Sequence, residues 1–209
     1  MSTNPRPRAE RKSPSERSAD IYAAAVAVAL REGLSALTQR AVAGEAAIAP
    51  ALVTHYCPSM EQLIARTFSE IVSEEIREVM ALAAQEDSAT DSLRSIITTV
   101  LDGSREDVTV VWVDAWSLGR RLPILATSIR EQMNSWHDAL TAVIRTGIQN
   151  GEFTSPEIDV DSISRQIFGM VDGLNAHALV NYTEDGQRLH LISRALELEL
   201  GLPQGKLGK

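Results

Sequence analysis

Aromatic side chains in the second half of the chain have a spacing that could bind a small cationic molecule. Trp112 and Trp116 are four residues apart, so on a helix they share one face. An aromatic wall beside a carboxylate such as Asp114 suits a positively charged ligand, because the face of an aromatic ring attracts cations. The predicted cavity residues are Trp112, Trp116, Met133, Trp136, Phe168 and Met170, with polar groups from Asp114, His137, Gln166 and Asn175. The alternative is that each aromatic side chain is ordinary core packing.

The sequence offers no set of residues typical of catalysis or of metal binding. None of the four histidines, His55, His137, His177 and His190, follows a glutamate by three residues, so the Glu-x-x-His signature of di-iron helical bundles is absent. The sequence also has no glycine-rich phosphate loop and no Gly-x-Ser-x-Gly elbow. We therefore expect a protein that is not an enzyme, without metal or cofactor.

A second group of residues, between Leu37 and Ile64, has the spacing of a helix-turn-helix. The hydroxyl of Thr38 can accept a hydrogen bond from the first turn of a short helix. Pro50 suits the first position of a second short helix, where a missing N–H costs nothing. Ser59, with Gln62 three residues later, predicts the capped start of a long helix. Two helices of about two turns, joined by about three residues, form a helix-turn-helix.

This stretch resembles the DNA-binding domain of the tetracycline-repressor (TetR) family. The resemblance covers roughly residues 14 to 66. The identical positions are Leu37, Thr38, Arg40, Ala43, Glu45, Ala46, Tyr56, Ser59, Glu61 and Leu63, and the residue type is kept at Val42, Ile48, Val53 and Ile64. The resemblance implies a three-helix domain that binds double-stranded operator DNA.

The chain departs from the family pattern at six positions of this stretch. Where the family has a turn glycine, a serine cap, a second glycine, a tyrosine, a phenylalanine and a lysine, this chain has Ala47, Ala49, Ala51, Thr54, Cys57 and Met60. If position 47 requires a positive φ, alanine there costs on the order of 1 kcal/mol. In family members the tyrosine and the lysine usually contact phosphate, so Thr54 and Met60 should weaken the electrostatic part of DNA binding.

The second short helix would lie in the major groove. It presents no Arg, Lys, Asn or Gln, the usual base readers, so readout would rest on Thr54, His55, thymine methyl groups and DNA shape. Arg40 and Thr38 are better placed for phosphate. The alternative for His55 is an exposed side chain without a role, and we expect Cys57 to be a small buried hydrophobe rather than a sensor thiol. The predicted DNA-contacting residues are Thr38, Arg40, Ala49, Pro50, Ala51, Thr54, His55, Ser59 and Met60.

Apolar residues recur at helical spacing through the chain, which predicts an all-α protein. The predicted helices run from the Ser13 capping box to Gly33, through the helix-turn-helix, from Ser59 to about Ala84, and over 90–102, 106–119, 123–150, about 160–182 and 184–200. Thr183 is expected to cap the last helix and Gly201 to end it. Residues 108–113 favour a strand by β-propensity, but Trp112 and Trp116 at helical spacing lead us to assign a helix.

Residues 110–200 also resemble the ligand-binding half of a TetR subgroup that includes choline-responsive, Bet-type regulators. The similar segments are VWVDAW at 111–116, IRTGIQNGEF ending at Phe153, and VDGL at 171–174. This resemblance implies about nine helices and a homodimer joined by the last two, at about residues 158–182 and 184–200.

Charge is unevenly distributed along the 209 residues, whose formal net charge is −8. Residues 1–67 hold eight Lys or Arg and six Asp or Glu, so the acidic excess lies in the remainder. A small basic surface on an acidic body permits DNA binding and predicts steep salt sensitivity. With one cysteine, no visible signal peptide and no apolar run of about 18 residues, we expect a cytoplasmic protein without a membrane segment.

The expected organisation is a basic tail (1–12), a helix-turn-helix DNA-binding domain (13–66), a helical effector-binding and dimerisation domain (67–201) and a loose tail (202–209). The basic tail is either disordered or an arm that orders on DNA. The expected function is a repressor that binds a palindromic operator as a homodimer and is released by a small-molecule effector. The alternative is a helical ligand-binding or protein-interaction dimer that has lost DNA binding.

Overall fold

The computed structural model describes residues 13–182 and 186–208, and within these ranges the chain forms α-helices and no β-strand. The helices are α1 (Pro14–Glu32), α2 (Gln39–Glu45), α3 (Pro50–Tyr56), α4 (Met60–Ala83), α5 (Ala89–Leu101), α6 (Glu106–Gly119), α7 (Pro123–Gln149), α8 (Val160–Ala178) and α9 (Gln187–Leu200). A 3-10 turn, Leu34–Ala36, follows α1. The predicted all-α class is confirmed. No helix in the described ranges is long and apolar enough to cross a membrane.

The head of the molecule, α1 to α3 with the start of α4, begins where local capping predicts. Ser13 Oγ accepts from the Glu16 N–H at 3.2 Å, and the Glu16 carboxylate accepts from the Ser13 N–H at 2.7 Å. Thr38 Oγ1 accepts from the Ala41 N–H at 3.1 Å, and Pro50 occupies the first position of α3. Buried apolar side chains from all four helices then form the head core, namely Ile21, Ala25, Val28, Val42, Ala43, Val53 and Leu63.

The turn between α2 and α3 requires a left-handed residue. Ala47 has φ 52°, and the Ile48 N–H beyond it donates to the Ala43 carbonyl at 3.0 Å. This is the hydrogen bond that closes a helix with a left-handed residue after it, a position that usually carries glycine. Position 47 thus requires a positive φ, and Ala47 is strained there by on the order of 1 kcal/mol.

Helix α4 joins the head to the larger body. Its 24 residues extend about 36 Å, and Ser59 Oγ accepts from the Gln62 N–H at 3.3 Å at its start. It packs against α1 in the head and against α5, α6 and α7 in the body. The α6 segment is helical from Glu106 to Gly119, as predicted, because the surrounding helices bury Val108, Val111 and Ala115 on one face.

A carboxylate from the α7–α8 loop holds the start of α5. Glu152 accepts from the Ala89 N–H at 3.1 Å and from the Thr90 N–H at 2.8 Å, in addition to the Thr90 hydroxyl at 2.8 Å. Desolvation raises the pKa of Glu152, but the hydrogen bonds from Thr90, Ala89 and Asn150 outweigh it and lower the pKa to about 2. Glu152 is therefore charged at neutral pH, which suits the positive end of the helix.

Two helix boundaries near the C-terminus differ from the prediction. Helix α8 ends at Ala178 rather than near Tyr182, because Asn181 adopts φ 55° and the Tyr182 N–H turns back to the His177 carbonyl at 3.0 Å. Asparagine tolerates this left-handed conformation better than most residues. Helix α9 follows Gly186. The predicted cap Thr183 and the basic tail at 1–12 lie outside the described residues.

The segment 202–208 is attached to α9 through Gly205 and Leu207, which differs from the expected loose tail, although most of its residues are exposed or half-buried. Leu207 is fully buried. The Gly205 and Leu207 N–H groups donate to the carboxylate of Glu197 at 2.9 and 2.8 Å. Glu197 is itself buried in α9, and a buried carboxylate requires donors of this kind.

Candidate functional site

The outer face of α3 is exposed along its length. Ala49, Pro50, Ala51, Thr54 and His55 are all exposed, whereas Val53 points into the head core. Thr38 and Arg40, at the start of α2, are exposed as well. The residues that the sequence predicts at DNA therefore lie on the solvent side of the two helices, apart from Ser59 and Met60, which are half-buried.

Ion pairs in the head leave Arg40 available. Arg31 is bound to Glu32 and Glu45, and Arg17 to Asp20. Within the described part of the chain no ion pair involves Arg40. A phosphate placed at α2 would therefore meet an uncommitted guanidinium, which is the usual positioning contact to DNA.

The departures from the family pattern have distinct structural settings. Thr54 Oγ1 turns toward its own helix and donates to the Pro50 carbonyl at 3.5 Å. Met60 packs partly against the core, and Cys57 is buried at 4% exposure, as expected for a small hydrophobe. None of the three is a charged group, so these positions add no ionic contact to the outer surface of the head.

A cavity lies in the body between α4, α5, α6, α7 and α8, and one wall of it is aromatic. Trp112 and Trp116 have ring centroids 5.7 Å apart, and across the cavity Trp136 and Phe168 are 6.2 Å apart, edge to face. The remaining apolar lining comes from Ile96, Ile97, Val100, Val113, Met133, Leu140, Ile167 and Val171. The centre of a water molecule can occupy about 50 Å³ of this cavity. A larger ligand must therefore displace side chains, and half-exposed Met133 is the most adaptable of them.

Two carboxylates face this cavity, Glu75 from α4 and Asp172 from α8. Glu75 is 8% exposed, and Trp112 Nε1 donates to its Oε2 at 3.4 Å. Thr109 and Asn175 supply the other polar lining. An aromatic wall with two carboxylates and no lining Lys or Arg is suited to a cationic ligand.

Burial controls the charge of the two carboxylates. Desolvation raises the pKa of Glu75 to about 7, although Trp112 and Arg105 oppose the shift. Desolvation also raises the pKa of Asp172 to about 7, and the negative charge of Glu75 adds to that shift. Near neutral pH the pair is therefore partly protonated, and a bound cation would favour the ionised forms.

Six of the ten residues predicted from the sequence line this cavity, namely Trp112, Trp116, Met133, Trp136, Phe168 and Asn175. The other four, Asp114, His137, Gln166 and Met170, do not line it. Three of them lie two residues from a lining aromatic, and two residues turn about 200° around a helix. His137 follows Trp136 directly, about 100° away, and its Nε2 lies 3.4 Å from Asp161 Oδ1.

Glu75 and Asp172 were missed by the sequence analysis, although a signal for them exists. Glu75 lies on the apolar stripe of α4, between buried Val72 and Val79, and Asp172 follows Phe168 by four residues on α8. A carboxylate on the buried face of an amphipathic helix is unfavourable unless a partner compensates it. A carboxylate on the apolar face of a helix is therefore a stronger indication of a cavity residue than closeness to a tryptophan along the sequence.

Asp114 instead connects the body to the head. The Ser35 N–H, just after α1, donates to Asp114 Oδ2 at 2.8 Å. The contact is close, because a Cβ atom on Gly33 would lie 2.5 Å from the same oxygen. Helix α6 thus presents Trp112 and Trp116 to the cavity on one side and Asp114 to the head on the other.

Comparisons with known proteins agree with this architecture. Residues 89–201 match the C-terminal domain of BetI-type transcriptional repressors. Residues 21–67 match bacterial regulatory proteins of the tetR family. No curated protein sequence matches the chain.

Solved structures share the fold. A protein from Saccharomonospora viridis, described as a transcriptional regulator and solved in complex with choline, is 20% identical, with a TM-score of 0.75 over 88% of this chain and 96% of that one. The transcriptional regulator FadR from Bacillus subtilis, solved with stearoyl-CoA, is 22% identical, with a TM-score of 0.66 over 87% of this chain and 97% of that one. At these identities the likeness concerns the fold alone.

Proposed function

Because the chain belongs to the TetR family of bacterial regulators, with a BetI-type C-terminal domain, we propose that it is a repressor released from its operator by a cationic small molecule. The family is one of DNA-binding transcriptional regulators and not of enzymes. The observation that carries the proposal is the cavity in which Trp112, Trp116, Trp136 and Phe168 surround the buried carboxylate of Glu75. A quaternary or protonated amine in this cavity meets ring faces and negative charge together. The neighbour from Saccharomonospora viridis with bound choline supports this class of ligand.

The route from cavity to head supports release by the ligand. Helix α6 contributes Trp112 and Trp116 to the cavity and holds the head through the Asp114–Ser35 hydrogen bond. Since the cavity is too small for the ligand unless its walls move, we propose that α6 is among the walls that shift, because it both lines the cavity and contacts the head. The ligand changes DNA affinity only as far as it binds that state more tightly than the DNA-bound one.

The body also has an apolar surface suited to a second copy. Val180, Tyr182 and Leu198 are 73%, 76% and 83% exposed near or on α8 and α9. Gly169 and Gly173 of α8 have open space where a Cβ would lie, which permits close approach of a helix. We therefore infer a homodimer through α8 and α9, with one head for each half of a palindromic site.

The first test is binding of the purified dimer to DNA upstream of its own gene, at low and at physiological salt, with and without choline as the cationic probe. We expect specific binding that weakens steeply with salt, and release by choline at millimolar concentration or below. A folded dimer that binds no DNA fragment at low salt would favour the alternative, a ligand-binding dimer that has lost DNA binding.

Met60→Lys separates these two functions further. Met60 is the first residue of α4 and half-buried, so a lysine stem can follow the same path with its ammonium group in solvent. For a DNA-binding homodimer we expect tighter binding, with the slope of log affinity against log salt steeper by about 0.9 for each added phosphate contact, or roughly 1.8 for the two subunits. A protein that has lost DNA binding should stay inert on every sequence, and Leu82→Lys, on an exposed site at the far end of α4, is the matched control for added charge.

A further inference from the structure

Arg188, the second residue of α9, is a buried guanidinium without an ion-pair partner in the part of the chain that the structure describes. It is 7% exposed, and its Nη1 donates to Asn175 Oδ1 at 3.0 Å. Its only hydrogen-bond partner among the described residues is the neutral amide of Asn175, and no described carboxylate forms an ion pair with it. Arginine remains protonated under all ordinary conditions, so one hydrogen bond to a neutral amide leaves this buried charge uncompensated.

Arg188 lines a second, polar cavity of about 220 Å³ between the α5–α6 turn, α8 and α9. Arg105 lines the same cavity; its Nη1 donates to Glu78 Oε2 at 2.9 Å, whereas its Nε is buried without an acceptor in the described chain. The acidic groups on the lining are Asp102, which already accepts from the Ser104 N–H, and Glu106, which is exposed. Arg188 and Arg105 thus retain N–H donors without acceptors among the described residues, and the cavity is open on one side. This arrangement suits the binding of an anion.

The polar cavity shares a wall with the aromatic one. Val100, Thr109 and Asn175 line both. Asn175 is held between them, because its Nδ2 donates to the Val100 carbonyl at 2.8 Å while its Oδ1 accepts from Arg188. A group that displaces the Asn175 amide, or passes beside it, therefore reaches Arg188 from the aromatic cavity.

We propose that Arg188 and Arg105 accept the carboxylate of a zwitterionic effector whose ammonium group lies among the tryptophans. This inference rests on the proposed function and narrows the effector to an ammonium carboxylate. The planar fork of a guanidinium matches the two oxygens of a carboxylate, so the site selects that group over an alcohol of the same length. The ammonium group of the ligand would then interact with the carboxylates of Glu75 and Asp172.

The test compares two probes that differ in one end group. Trimethylammonium carboxylates with one, three and five methylene groups are titrated calorimetrically into the full-length protein, each against the trimethylammonium alcohol of equal length. For the best-fitting length we expect the carboxylate to bind at least about tenfold more tightly than the alcohol. In Arg188→Met this preference should fall to less than about twofold, while affinity for the alcohol stays within about twofold of the unaltered protein.

Arg188→Gln is the second variant, because it removes the charge and keeps an amide donor on a shorter polar side chain. Its fold and dimer are checked by thermal melting and size-exclusion chromatography. It should lose the preference as Arg188→Met does. Equal binding of both probes by the unaltered protein overturns this inference and leaves the cation site standing. If the Arg188 variants still prefer the carboxylate over the alcohol, the inference is also overturned. If no ammonium probe binds, both this inference and the proposed release by a cationic ligand are contradicted.

Discussion

Glu75 is a residue whose burial lowers the stability of the folded protein at high pH and, in the proposed function, favours binding of a cation. Its carboxylate is buried beside Trp112 and faces Asp172 across the cavity. Burial raises its pKa from the ordinary 4.5 to about 7, so the folded state binds a proton that the unfolded state has released. Stability contributed by protonated Glu75 is present below about pH 4.5 and is lost as pH rises through 7. Above about pH 7 the buried carboxylate is therefore charged, and Trp112 and Arg105 compensate that charge only in part.

We predict that Glu75→Gln stabilises the empty protein at pH 8, by on the order of 2–3 kcal/mol, and changes stability little at pH 5. The substitution should also weaken choline binding about tenfold at pH 8, and in the unaltered protein affinity should rise between pH 6 and pH 8 as the carboxylates ionise. Thermal melts and titration calorimetry measure both effects. Glu74→Gln, on the exposed neighbour, is the control, and the same stabilisation in that variant would contradict the assignment.

Ala47 is a second residue at which the local conformation opposes the residue type. It holds φ 52° in the helix-turn-helix turn, where an L-residue with a Cβ is strained. We predict that Ala47→Gly stabilises the protein by about 1 kcal/mol, because relief of strain exceeds the added freedom of the unfolded chain. Urea unfolding measures this. Ala142→Gly, at an exposed site within α7, should have the opposite sign, and destabilisation by both would refute the strain.

At the scale of elements, α6 is the helix that both lines the aromatic cavity and contacts the head. Its Trp112 and Trp116 line the cavity, whereas Asp114, about 200° around the helix from Trp112, accepts from the Ser35 N–H in the head. In the proposed function, a movement of α6 on ligand binding would reach the head through this hydrogen bond and through the packing of α6 against α1 and Leu34–Ala36. Gly33 lies so close to the Asp114 carboxylate that the two segments have little room to move relative to each other at this contact.

We predict that Asp114→Ala uncouples the two sites. DNA and choline should each still bind, within about threefold of the unaltered protein, but the choline concentration that releases DNA should rise by about tenfold or more. Asp114→Asn keeps an acceptor oxygen and should retain most of the coupling. Fluorescence anisotropy of labelled operator DNA, titrated with choline, measures the effect. Normal release in Asp114→Ala would mean that the signal takes another route, such as α4.

At the scale of the whole molecule, a single copy presents one head and an unpaired apolar surface. The exposed side chains Val180, Tyr182, Leu191 and Leu198 occur around α8 and α9, on the half of the chain that carries the acidic excess. Two copies joined there would direct two weakly charged heads to the same DNA. Each head has few ionic contacts, so stable binding requires both.

We predict that Leu198→Glu converts the dimer to a monomer at micromolar concentration, because it places a charge in an apolar interface on both copies. Operator affinity should fall by at least about a hundredfold as the two heads separate. Analytical ultracentrifugation and anisotropy measure the two effects. Leu82→Glu, an equally apolar exposed site on α4, should leave the dimer intact, and a Leu198→Glu dimer would exclude this face of α9.

The sequence by itself determined the features that depend on neighbours within a few residues. The starts of α1, α2 and α3 were predictable because Ser13, Thr38 and Pro50 satisfy or omit backbone donors in their own first turn. Apolar spacing predicted the all-α class, and the ordered residues between Leu37 and Leu63 predicted the family.

Only the tertiary structure decided which polar groups meet. Glu75, Asp172 and Arg188 lie on three different helices, and their burial depends on how those helices pack. The sequence analysis chose Asp114 for the cavity because it is close to two tryptophans along the chain, but the packing of α6 turned it to the head. The buried position of Leu207 likewise depends on donors meeting Glu197 across a turn. These contacts join residues that are far apart in the sequence, and their distances are set only when the helices pack together. The charge of the cavity therefore depends on the tertiary structure.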